Sequence, residues 1–75
     1  MSQFSVAQLT VEPGATIAAV MERLVATGSR VLFVVDQSRL VGSVSDGDIR
    51  RALLATQTMQ SPVHEAMNTL SLIHI

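Results

Sequence analysis

The chain has 75 residues, no cysteine and no lysine, and a net charge of −1 from five arginines against six acids. That composition excludes a disulfide framework and a thiolate metal site. It also disfavours nucleic-acid binding, because there is no basic stripe and the only aromatics are Phe4 and Phe33. With 48% apolar and 15% charged residues the chain is too apolar for disorder. A single domain of this size buries only about 60% of its unfolded surface, so the apolar surplus is expected to meet a second copy or further sequence.

The start, MSQFSVAQL, has neither a basic n-region nor a long apolar run. No secretory signal or membrane span is expected, and the expected location is cytoplasmic. Residues 9–11 read as a short extended piece ending in the Pro13-Gly14 turn, and Thr16 is a good N-cap. In the helix that follows, Ile17, Val20, Met21, Leu24 and Val25 recur at helical spacing as one apolar stripe. Glu22, Arg23 and Thr27 fall outside that stripe, and Gly28 suits the C′ position.

RVLFVVD is apolar on both faces, as in a strand covered on both sides, and DQSR is a turn into the second strand, LVGSVS. Strict alternation puts Leu40, Gly42 and Val44 on one side and Val41, Ser43 and Ser45 on the other. A second helix over residues 47–55, capped by Ser45 or Asp46, turns Ile49, Ala52 and Leu53 toward the core. ATQTMQ is a polar connection, and SPVHEAM reads as a new helix start with Ser61 at the N-cap and Pro62 at N1.

The order β-α-β-β-α, with the lead-in Val11-x-Pro13-x-x-Thr16 and the corner Gly42-x-x-Ser45-x-x-Asp48-Ile49, resembles the CBS motif. SPVHEAMN resembles the segment that opens a second such motif, so the resemblance covers residues 6–69. It implies an α+β fold that is half of a CBS pair, or Bateman module: residues 1–60 as one motif and 61–69 as the opening of a truncated second. It further implies a regulatory adenine nucleotide (AMP, ADP or ATP), with no covalent cofactor. Ser45 would contact phosphate and Asp48 would hold the ribose hydroxyls. Val31 and Leu32 would read the base edge through their backbone, with Ser43 on the neighbouring strand beside Ser45. A carboxylate accepts from two hydroxyls at once, and a serine at a helix start suits a phosphate.

The same residues also have a plainer role. Ser45 or Asp46 can simply cap the helix, with Asp48 favouring its dipole. Gly42 can be a packing glycine beneath the first helix, and Arg50 and Arg51 can reach a phosphate or simply be solvated. His64 and His74 lack the partners of a triad or metal set, and Met21, Met59 and Met67 read as core or interface filler. No nucleophile–base pair or phosphate-binding loop is present, so the chain is not expected to be an enzyme.

VSDGDIRRALL and SPVHEAMN, on a chain starting at its own Met1, resemble the N-terminal CBS pair of sugar-phosphate nucleotidyltransferases. A similar corner occurs in sugar-phosphate isomerases, where the pair follows the catalytic domain. The final hexamer LSLIHI leaves the family pattern. It can be encoded by CTG TCT CTT ATA CAC ATC, which resembles the adaptor end of transposase-based sequencing libraries. Residues 70–75 are therefore expected to be translated adaptor on a gene cut near Thr69, the alternative being a genuine short strand. The reading is a regulatory nucleotide-binding motif, paired with a second CBS motif in cis or with a second copy. The alternative is a ligand-free dimerisation module.

Overall fold

The computed structural model describes residues 6–69; residues 70–75, and with them both readings of the hexamer, lie outside the described residues, as do Phe4 and His74. A 3-10 turn, Val6–Leu9, leads into strand β1, Thr10–Val11. Helix α1, Ile17–Thr27, starts where the Thr16 hydroxyl accepts from the Ala19 amide at 3.1 Å. It ends at Gly28, whose φ of 70° lets its N–H turn back to the carbonyls of Leu24 and Val25. Strands β2, Val31–Asp36, and β3, Arg39–Ser45, form the central hairpin. Helix α2, Asp46–Ala55, follows directly. A 3-10 turn, Val63–Glu65, then leads to the short strand β4, Asn68–Thr69. The fold is α+β, with one sheet in the order β1-β2-β3-β4. Its β1–β2 pair is parallel and the other two are antiparallel.

The core sits between this sheet and the two helices: Ile17, Val20 and Leu24 of α1, Leu32 and Val34 of β2, Val44 of β3, Ile49 of α2, and Val63. The apolar stripe of α1 divides. Ile17, Val20 and Leu24 are buried, but Met21 is 36% and Val25 83% exposed. Their place on the inward side goes to Thr27, whose buried hydroxyl is satisfied by donating to the Arg23 carbonyl at 2.8 Å. A hydroxyl that bonds the carbonyl four residues back on its own helix needs no other partner, so Thr27 is tolerated inside.

Two details of the hairpin depart from strict alternation. The turn is two residues long, Gln37 and Ser38, with φ of 54° and 68°. This left-handed pair matches the twist of the strands, although neither residue is glycine or asparagine. The register then steps from Val34↔Gly42 to Val35↔Leu40, leaving Val41 as the extra residue of a bulge. Beyond the bulge the sides exchange, so Leu40 is 52% exposed and Val41 packs against the core instead. Val44 is buried in the core as expected, whereas Gly42 is buried beneath β4. β2 is covered on one side only: Leu32 and Val34 are buried, whereas Phe33 is 39% exposed and its cross-strand partner Ser43 half-buried.

The segment after α2 is not the start of a regular helix. Pro62 is the cap of a 3-10 turn without a side-chain bond, because the Ser61 hydroxyl turns back to accept from the Thr58 amide at 3.0 Å. The segment instead straps the start of α1. The Ser61 and Met59 carbonyls accept from the amides of Ile17 and Ala18, each at 2.9 Å, and the Val63 amide donates to Ala15 at 2.7 Å. With the Thr16 hydroxyl serving Ala19, the first three amides of α1 are satisfied, which matters because a helix start has no carbonyls of its own for them. Thr16→Ala removes one of the three and is expected to lower stability by about 1 kcal/mol. An unchanged urea midpoint in that variant would mean that the strap alone fixes the helix start.

Candidate functional site

Where β3 runs into α2, Ser45 lies in extended conformation and acts as N-cap. Its hydroxyl accepts from the Asp48 amide at 3.2 Å, while Asp48 Oδ2 accepts from the Ser45 amide at 2.8 Å. This reciprocal capping box settles the choice of cap: Ser45 rather than Asp46. Asp46 lies in the first turn and pairs with Arg50 at 3.6 Å, both side chains being largely exposed. A pair of that kind contributes little.

Asp48 is different. It is only 5% exposed and is the single buried charged residue among the described residues. Oδ2 also accepts from the Ser45 hydroxyl at 3.0 Å, and Oδ1 accepts from the Arg51 guanidinium at 2.6 Å. The Asn68 side-chain amide, reaching in from β4, stands 3.2 Å from each oxygen. Buried charge persists only when paired and hydrogen-bonded, and this carboxylate has both. Arg51 is therefore a partner of the corner rather than merely a solvated arginine.

Of the residues singled out from sequence, Ser45 and Asp48 are thus brought together. Val31 stands opposite Ser45 across the β2–β3 ladder. Its N–H donates to the Ser29 hydroxyl at 3.3 Å, and that hydroxyl donates to its carbonyl at 2.7 Å. Leu32, opposite Val44, is buried on the helix side, so only its backbone is available to the other face. Ser43 pairs with Phe33, and also with Asn68 of β4.

Three partners were missed by sequence reasoning: Ser29, Arg51 and Asn68. Arg51 had a signal in its i,i+3 spacing from Asp48. Asn68, twenty residues from Asp48, had none. Gly42 does pack closely, but under β4 rather than under α1: a Cβ there would come within 2.5 Å of the Asn68 carbonyl oxygen and 3.0 Å of Met67 Sδ.

The apolar groove between α1 and α2, with a volume of about 420 Å³, is lined by Met21, Leu24, Val25, Ile49 and Leu53 and does not include Ser45 or Asp48. Among the described residues there is no group of three His, Asp or Glu side chains that could hold a metal ion, and no helix is long and apolar enough to cross a membrane.

The sequence profile of the CBS domain matches residues 5–55. No curated protein sequence matches the chain. Among solved structures, a Vibrio cholerae protein ascribed to acetoin utilization, AcuB, superposes with a TM-score of 0.77 at 26% identity, covering 80% of this chain and 46% of that one. A CBS-domain protein of Pyrobaculum aerophilum, solved with AMP, has a TM-score of 0.73 at 23% identity over 81% of this chain and 49% of its own. CBSX2 of Arabidopsis thaliana, also solved with AMP, has a TM-score of 0.64 at 26% identity over 80% and 50%. The chain spans about half the length of each.

Proposed function

Because the chain belongs to the CBS-domain family, a family of regulatory rather than catalytic modules, we propose that it is one motif of a pair whose cleft takes an adenine nucleotide. The observation that carries this reading is the Ser45–Asp48 corner: a hydroxyl and a buried carboxylate held together at a helix start, beside the half-covered face of the sheet. The likeness to CBSX2, solved with AMP, supports the choice of ligand. In this reading the Asp48 carboxylate accepts from the ribose diol and the Ser45 hydroxyl meets phosphate. The base lies along the Val31–Ser43 side of the hairpin, reading the backbone at Val31 and Leu32. The other wall comes from a second CBS motif, in the same protein or in a second copy, which would cover Phe33. The protein works in the cytoplasm. A sugar-phosphate nucleotidyltransferase as the parent enzyme rests wholly on the resemblance of VSDGDIRRALL and SPVHEAMN.

A second reading, a pairing module without ligand, is favoured by one observation: every acceptor position of Asp48 is already engaged inside the chain. The two readings separate in a thermal melt with AMP at several protein concentrations. A ligand that binds only the folded state stabilises it by about 2.7 kcal/mol at a hundred times its Kd. The nucleotide reading expects the midpoint to climb with AMP at fixed protein concentration. A midpoint that responds to protein concentration and ignores millimolar AMP would leave the pairing module standing.

A further inference from the structure

A carboxylate offers about four lone-pair positions. At Asp48 two are filled from the helix start itself, by the amide and hydroxyl of Ser45. These bonds are part of the cap and last as long as α2 does. The other two partners are side chains beyond the cap, one on α2 and one on β4. Arg51 reaches in with a side chain that is 73% exposed. Asn68 reaches in from β4, whose described residues are both exposed.

The Asn68 amide nitrogen straddles both carboxylate oxygens at equal distance. A vicinal diol donating to the same carboxylate has to put its hydroxyls there. We propose that Asn68 is a built-in competitor for the Asp48 carboxylate, so that a nucleotide's ribose binds only when β4 lets go. The inference rests on the nucleotide reading above and adds a coupling to it: occupancy of the cleft and docking of β4 exclude each other.

A second feature fits the same device independently. Asn68 sits close enough to engage Asp48 because β3 carries a glycine where β4 crosses, and any side chain at Gly42 would strike the Asn68 backbone. Among the described residues β4 pairs with β3 at Gly42↔Thr69 and Ser43↔Asn68. Both described residues of β4 lie exposed, as in the edge segments that open at low free-energy cost. Ligand binding thereby becomes a displacement of β4 from β3.

The test is AMP affinity by calorimetry on the full 75-residue chain, as wild type, Asn68→Ala and Gly42→Ala. Removing a hydrogen-bonding competitor from a charged acceptor is expected to tighten AMP about tenfold in Asn68→Ala. Gly42→Ala displaces β4 while leaving the carboxylate and its other partners in place, and should tighten AMP in the same direction. If Gly42→Ala does not fold, the wild type decides through hydrogen exchange: saturating AMP should speed exchange at Asn68 and Thr69. AMP binding that is equal or weaker in Asn68→Ala, with β4 exchange unchanged by AMP, overturns the competition and leaves the nucleotide reading intact. AMP binding by none of the three proteins overturns both.

Discussion

Asp48→Ala is expected to lower the unfolding free energy by about 3 kcal/mol, a large share of the stability of any small domain. The substitution removes the acceptor for the Ser45 amide and hydroxyl, which ends the capping box, worth about 1 kcal/mol on its own. It also leaves the Asn68 amide and Arg51 without the buried charge they serve. Hydrogen bonds to a charged group contribute about 1.5–3 kcal/mol net, and bonds that share one acceptor do not add in full. Asp48→Asn keeps the shape and one acceptor oxygen, and should lose roughly half as much. Urea denaturation with amide exchange along α2 measures both. An alanine variant within about 0.5 kcal/mol of wild type would sink the idea that this carboxylate holds the corner together. A carboxylate that served only a ligand would be removable without harm to the fold. The buried geometry makes ligand and fold inseparable at this residue, which is why Asn68 and Gly42 are the better handles on binding.

What could be read from the sequence was local chemistry. Thr16 as cap, Gly28 as terminator and the Ser45–Asp48 corner each depend on residues within four positions of one another, and short-range spacing is what a sequence displays. The hairpin was legible for the same reason, since two β-branched runs flank a short polar turn. The bulge at Val41 was not, because period-two alternation carries no mark for an inserted residue; the exchange of Leu40 and Val41 follows from that one step. Thr27 was misplaced because hydrophobicity alone misses a hydroxyl that satisfies itself on its own helix. Asn68 was invisible for a tertiary reason: only the passage of β4 over Gly42 brings it to Asp48.

The apolar surplus noted from composition also acquires locations. One is the second sheet face around Phe33, and another the outer side of the helices, where Val25 and Leu54 are 83% and 82% exposed. Together they leave large side chains in water on opposite sides of one thin core, which is an expensive arrangement for an isolated domain. That is the physical case for a partner on the sheet face, where the corner also lies.

Val63→Asp is expected to abolish the cooperative unfolding transition altogether. Val63 has no exposed surface and packs in the core with Ile17 and Val20 of α1, although it belongs to the strap after α2. An ionised carboxylate placed there has no partner, and the effective penalty is several kcal/mol, comparable with the whole stability of a domain this small. The damage would also spread, because the strap supplies the carbonyls that satisfy the Ile17 and Ala18 amides and anchors itself by the Val63–Ala15 and His64–Pro13 bonds. Val63→Ala isolates the packing component and should cost about 1–3 kcal/mol. His64→Ala, one position along at an exposed site, should stay within about 0.5 kcal/mol. The contrast between adjacent positions, read by urea melts of all three variants, is the decisive feature. If Val63→Asp melted cooperatively near the wild-type midpoint, the strap would lie off the core and α1 would hold its start without it. If it unfolds while His64→Ala does not, the segment resembling the opening of a second motif is a structural member of the first, and a chain cut before it would lose Val63 from its centre.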